Sequence, residues 1–244
     1  MRLPQELVDA IIDCIGIPYA LASSGKSCYL PERRRGKDCL RLLALVSRAC
    51  NHRVRSHLFR YFKIRALYSL DQCPDALLGY ARTLKIVQHY EHPSNALLIL
   101  RRFISSPLVS ITLYLQDFPE ELLEMLRSSF PDIRRISVRS SSLTPSVLLN
   151  LVSTLERVHV VSLRRCRLNN PTEGDGLPTL PFLHGRLSIS DPHFAITGLL
   201  GRIPLPLRSL RYVSRAFPPE KKIIDACAVS LENLEVKMLI DWGE

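Results

Sequence analysis

VHVVSLRRCRL, residues 158–168, sets Val158, Val161, Leu163 and Leu168 around Cys166. The same spacing stands 25 residues upstream as Ile133, Ile136, Val138, Ser141 and Leu143, and 25 before that as Leu108, Ile111, Leu113, Gln116 and Phe118. Further phrases open at His184, Leu207 and Leu231, so the starting positions follow one another at intervals of 25, 25, 26, 23 and 24 residues. Ala81, Leu84 and Ile86 extend the series upstream, and Phe59, Phe62 and Ile64 open it. A period of this length means one supersecondary unit repeated and stacked on its neighbours, because a single unit cannot bury its own apolar face.

Within each phrase the two central apolar residues lie two apart, so both point to one side of a strand. Between the phrases, residues 95–105, 119–129, 145–155, 193–201 and 219–230 read as helices, several with proline in the first turn, where its missing N–H has no intrahelical partner to lose. Leu122, Leu123, Leu126 and Phe130 recur at helical spacing on one face. The phrase itself fits the leucine-rich-repeat pattern L-x-x-L-x-L-x-x-N/C-x-L. The expected fold is therefore α/β, a leucine-rich-repeat-like solenoid of alternating strands and helices over residues 59–244, and such solenoids serve as binding surfaces.

Residues flanking the central apolar positions should point away from the core, toward the concave face. Aligned across repeats they are Ser110, Thr112 and Tyr114; Arg135, Ser137 and Arg139; Val160, Ser162 and Arg164; Arg186, Ser188 and Ser190; Ser209, Arg211 and Val213. This is a column of hydroxyls bordered by arginines. Arg139 and Arg164 should occupy equivalent sites on strands about 4.8 Å apart, where like charges repel unless an anion bridges them. With a net charge of +10, Tyr114, Arg135, Arg139, Arg164, Arg186 and Arg211 are the expected contacts for a target protein with an acidic or phosphorylated segment. Aromatic side chains are not interleaved with the basic ones as single-stranded nucleic acid would require, so nucleic acid is not the expected ligand.

The first sixty residues follow another pattern. Pro4 near a helix start and Glu6 in its first turn suit the positive end of a helix dipole, and Leu7, Val8, Ile11, Ile12 and Ile15 form a wide apolar face behind them. A second helix is expected from about Asp38 through Ala49, with Leu40, Leu42, Leu43, Leu45 and Val46 in it, and a third from Asn51 to Leu58. An insertion over residues 17–37 reads as a loop. In it Ala20, Gly25, Lys26 and Ser27 satisfy a relaxed phosphate-loop spacing, but Gly16 and Pro18 before it and Pro31 after it do not supply the strand and helix that such a loop needs. The run Arg33-Arg34-Arg35 reads as solvated loop.

The order LPQELVDAII, LRLLALVSRAC and HLFRYFKI resembles the F-box family, in particular the fungal, basidiomycete-type members that carry leucine-rich repeats behind the F-box. The resemblance covers residues 3 to about 64 and implies a small three-helix bundle over residues 1–58. It also implies a role: the bundle binds a Skp-type adaptor, which joins a cullin ubiquitin ligase, while the following repeats capture the substrate. By position, Leu3, Pro4, Leu7, Val8, Ile11, Ile12, Leu42, Leu45 and Val46 are the residues the resemblance assigns to adaptor binding and to the bundle core. Cys50 stands where the family often has tryptophan, a much larger side chain.

Catalysis is not expected. The chain has no G-x-S-x-G turn, no H-E-x-x-H helix and no carboxylate pair at a spacing suited to general acid and base work, and no cofactor is expected. Seven cysteines at irregular spacing suit reduced thiols rather than a disulfide framework; Cys14, Cys39 and Cys166 read as small apolar fillers. No apolar run approaches the roughly 18 residues of a membrane span, and the acidic residues in the N-terminal stretch do not fit a secretory signal, so the expected location is cytoplasmic or nuclear. The function expected is that of a substrate-recruiting ligase adaptor, and the alternative is a repeat-based interaction scaffold not engaged with a ligase.

Overall fold

A computed structural model of the chain describes residues 4–23, 30–65, 70–71, 73–88, 94–169, 180, 183–214, 219 and 221–238, with the backbone alone for 17–23, 30–36 and 88. Three helices come first: α1 (Gln5–Ser23), α2 (Leu30–Leu43) and α3 (Arg48–Leu58). Strand β1 (Tyr61–Ile64), the short helix α4 (Asp75–Leu78) and strand β2 (Thr83–Gln88) follow. Helix α5 (Ser94–Arg102), β3 (Ser110–Leu115), α6 (Glu120–Ser129) and β4 (Arg135–Arg139) continue the alternation. Then come the small strand β5 (Ser142–Leu143), α7 (Pro145–Ser153) with a 3-10 turn at Thr154–Glu156, β6 (Val160–Arg164) and a second small strand, β7 (Arg167–Leu168). The rest is β8 (Leu183–Ser190), α8 (Phe194–Leu200), β9 (Leu207–Ser214), α9 (Lys221–Cys227) and β10 (Asn233–Met238).

The chain is mixed α/β. Its principal sheet has eight parallel strands in the order β1-β2-β3-β4-β6-β8-β9-β10 and does not close into a barrel. Apart from the small β5 and β7 pair, strand order therefore follows chain order. The period in the sequence becomes the register. Ile111, Ile136, Val161, Leu187 and Leu210 stand side by side in one row, and Leu113, Val138, Leu163, Ile189 and Tyr212 in the next. Both rows are buried against the helices, which contribute Ile99, Leu123, Leu148, Ile196 and Ile223 to the same core. Parallel sheets are ordinarily covered on both faces; here, between these rows, Thr112, Ser162 and Arg211 are partly open while the small side chains of Ser137 and Ser188 are buried.

The turns repeat as well as the strands. Ser140, Arg165 and Asp191, each directly after β4, β6 or β8, have φ of 52°, 53° and 47°. Their N–H groups donate to Arg164, Ser190 and Val213 carbonyls at 2.8, 2.9 and 2.8 Å, which carries the ladder past the strand ends. Cys166, at the N/C position of the pattern, donates its thiol to the carbonyls of Val138 at 3.5 Å and Arg164 at 3.6 Å. Ser141 does the same in the preceding unit, donating to Arg139 at 3.1 Å. At β8 the register slips between Leu183 and Arg186. Gly185 lies there so close to the chain before β6 that a Cβ would stand 2.4 Å from the Val158 carbonyl oxygen.

The N-terminal helices have their own core of Ile12, Leu40, Cys50 and Val54, flanked by Val8, Ile15, Leu43, Ala44 and Leu58. Three expectations for this part are corrected. Residues 17–37 are not one loop: α1 continues to Ser23 and α2 begins at Leu30, with Pro31 near the start of the helix where its ring is tolerated. Arg33, Arg34 and Arg35 accordingly lie on a helix. The second helix stops at Leu43, not Ala49, because Ser47 adopts extended backbone and its hydroxyl accepts the N–H of Cys50 at 3.1 Å, so that a new helix starts after it. Lys26 and Ser27 of the phosphate-loop phrase lie outside the described residues, as does Leu3.

Candidate functional site

Two surfaces carry the candidate residues. On the helical part, the assigned set divides by burial. Ile12 is fully buried and Val8 packs beside it, so these two hold the core together. Leu7, Ile11, Leu42, Leu45 and Val46 are exposed by 53%, 49%, 67%, 82% and 69%. Pro4 is exposed too, and its carbonyl accepts the N–H groups of Leu7 and Val8 that open α1. The turn over residues 44–46 exists because Ser47 caps α3, and Asn51 secures it by donating its side-chain N–H to the Ala44 carbonyl at 3.2 Å.

A polar clasp sets the angle between α1 and α3. Asp13 accepts two hydrogen bonds from Arg53, one of them from Nε at 2.8 Å, and its Oδ1 lies 2.9 Å from His57 Nε2. The Arg53 hydrogen bonds hold the Asp13 carboxyl below its ordinary value of 3.8, against the opposing effect of burial. His57 is buried, and its Nδ1 faces Gly16, where a Cβ would lie 2.2 Å from that nitrogen. The close approach of α1 to the imidazole thus requires glycine.

The second surface is the face of the sheet opposite the core helices. Its middle row runs Lys63, Lys85, Thr112, Ser137, Ser162, Ser188, Arg211 and Glu235 across all eight strands. A neighbouring row runs Val87, Tyr114, Arg139, Arg164, Ser190, Val213 and Lys237, and the row on the other side contains Ser110, Arg135, Val160, Arg186 and Ser209. Arg139 and Arg164 are direct neighbours, as the 25-residue spacing requires. Arg139 donates to the Tyr114 hydroxyl at 2.8 Å, while Lys85 Nζ sits 4.6 Å from the centre of the Tyr114 ring. Arg186 donates to Ser209 at 3.2 Å. Ser137 and Ser188 are only 5% and 8% exposed and form the floor of the face.

Among the described residues this face carries no acidic side chain from β1 through β9. Glu235 on β10 is the counter-charge, 3.3 Å from Arg211 and 3.0 Å from Lys237, so Arg211 is already neutralised in a way the sequence pattern did not reveal. Lys63 and Lys85, beside each other in the register, were missed as face residues although each stands between two strand apolars. Burial, with Arg65 and Lys85 adding repulsion, lowers the Lys63 pKa from its ordinary value. The face therefore presents donors of the kind that make charge-assisted hydrogen bonds to an anion. Among the described residues no cluster of histidine, cysteine and carboxylates suited to a metal ion occurs, and no helix is long and apolar enough to cross a membrane.

No protein-family model matches the chain, and no curated protein matches it. The assignment of these surfaces rests on their own chemistry. A separate cleft of about 290 Å³, floored by Leu126, Phe130 and Ile136, opens near the start of β4. Arg127 at its rim is engaged with the Asn150 carbonyl and the Ser153 hydroxyl, both at 2.7 Å. Of the cysteines read as fillers, Cys166 is buried, but Cys14 and Cys39 are exposed.

Proposed function

We propose that the chain is a substrate-recruiting adaptor of a Skp-cullin-F-box ubiquitin ligase. On this reading the N-terminal helices dock a Skp-type adaptor, and the strand–helix units form a leucine-rich-repeat-like solenoid whose open face holds a target protein by an acidic or phosphorylated segment. The observation that carries the reading is the exposure of Leu7, Ile11, Leu42, Leu45 and Val46 on a small helical unit whose core is complete without them. Apolar side chains in excess of what a core needs mark an interaction site when they cluster in one part of a chain. The one-sided parallel sheet supports the second half, since units that stack only on their neighbours leave one face free for a ligand.

The test is co-purification with the Skp-type adaptor of the same cell, comparing the intact chain with a Leu7→Asp, Val46→Asp variant. Both positions are exposed, so the charges leave the core of Ile12, Leu40, Cys50 and Val54 intact. Stoichiometric capture by the intact chain, lost in the folded variant, is the expected result. An intact chain that folds and captures no adaptor moves the reading to a scaffold that is not engaged with a ligase. Buried Cys50 favours that alternative, because it fills a place in the helical core with less volume than the tryptophan frequent in the family it resembles.

A further inference from the structure

Strand β10 pairs with β9 on one side and, among the described residues, with nothing on the other. Leu234 and Val236 stand in register with Leu210 and Tyr212, which are 1% and 3% exposed, yet Leu234, Val236 and Met238 are exposed by 46%, 42% and 42%. Among the described residues the core side of this strand is left largely exposed.

The direction of its hydrogen-bonding groups follows from the other strands. Open-face residues turn their N–H back to the preceding strand, as Val160 does to Arg134 and Arg186 to His159. Residues of the opposite parity turn theirs to the following strand, as Ser140, Arg165 and Asp191 do. On β10 the same alternation leaves the backbone groups of Leu234, Val236 and Met238 pointing out of the free edge.

We propose that β10 pairs with β10 of a second copy of this chain, antiparallel, about a two-fold axis at Val236. The sequence Leu234-Glu235-Val236-Lys237-Met238 is complementary to itself in that arrangement. Val236 faces Val236 and Leu234 faces Met238 of the second copy as hydrogen-bonded pairs. Glu235 faces Lys237 of the second copy, and Lys237 faces its Glu235, at the non-hydrogen-bonded sites where side chains come closest. An axis at Glu235 or at Lys237 would instead set like charges opposite each other, and of the axes along β10 the one at Val236 sets Glu235 and Lys237 against each other. A self-complementary patch of this kind gives a closed dimer. Glu235 already pairs with Lys237 and Arg211 within one copy. The exchange of partners therefore fixes orientation, while the backbone hydrogen bonds and apolar contacts supply the association. The proposal is independent of the ligase reading.

Sedimentation of the full chain over a wide concentration range, with four sequences compared, tests this. The intact chain should form dimers that dissociate on dilution. Lys237→Glu should weaken them by about tenfold or more, and the exchange Glu235→Lys, Lys237→Glu should restore them. Val236→Pro removes an N–H that the β9 ladder does not use, so it should leave the fold intact and abolish the dimer. A monomer at every concentration overturns the proposal. So does a dimer that survives both Lys237→Glu and Val236→Pro, or a folded exchange variant that stays monomeric.

Discussion

At the scale of single residues, the thiol at Cys166 and the carboxylate at Asp13 are set by opposite influences. Cys166 is 2% exposed, and burial pushes its pKa up to about 11. A thiol reacts as its thiolate, so alkylation of the folded chain near neutral pH should label Cys14 and Cys39 and spare Cys166, with denaturation opening it; peptide mass spectrometry reads the difference. Asp13 is held low chiefly by Arg53. Its native pKa lies below the unfolded one, so its contribution to stability is complete well above pH 3.8 and is lost as pH falls through the native value. Thermal melts should accordingly place Asp13→Asn below the intact chain at neutral pH and show the gap closing under more acidic conditions. A gap that stays constant with pH would count against the clasp.

At the scale of elements, the strands were legible because a strand needs little more than alternation and the alternation recurs. Ile136, Val161 and Leu187 share a row for that reason. The helical boundaries were less legible. The apolar run from Leu40 to Val46 reads as one helix, yet a single hydroxyl at Ser47 redirects the backbone, since a satisfied cap outweighs the small propensity differences along the run. Residues 17–37 read as loop because proline and glycine punctuate them, whereas Pro31 sits where a helix accepts it. The slip at β8 left a signal only in Gly185. Gly185→Ala would press a methyl against the backbone carbonyls of Val158 and His159, at 2.4 and 3.1 Å, neither of which can rotate away. A cost of about 1–3 kcal/mol is expected in denaturant unfolding, as for overpacked cores.

At the scale of the whole molecule, charge is distributed unevenly. The net charge is +10, and the open face from β1 to β9 has cations without carboxylates among the described residues. Arg135, Arg139, Arg164 and Arg186 were legible from the repeat, while Lys63 and Lys85 lie in its weakest copies and escaped notice. The neutralisation of Arg211 by Glu235 joins residues on different strands, and only the register brings it out. An acidic or phosphorylated peptide that binds the intact chain should lose affinity in an Arg139→Ala, Arg164→Ala variant, and added salt should weaken the intact complex more steeply than the variant's. Equal affinity and equal salt dependence, measured by titration calorimetry, would remove the open face as the target site.

Because each strand of the principal sheet is hydrogen-bonded to its immediate neighbours in one continuous row, no strand holds the others from the centre. Each inner strand therefore depends on the two strands beside it for its backbone hydrogen bonds, so a change in one strand reaches its neighbours first. The units around β4 and β6 are the furthest from both ends, and the adjacent pair of arginines, Arg139 and Arg164, is mounted there. Three strands flank that pair on either side, so both arginines ride on backbone that is hydrogen-bonded along both of its edges.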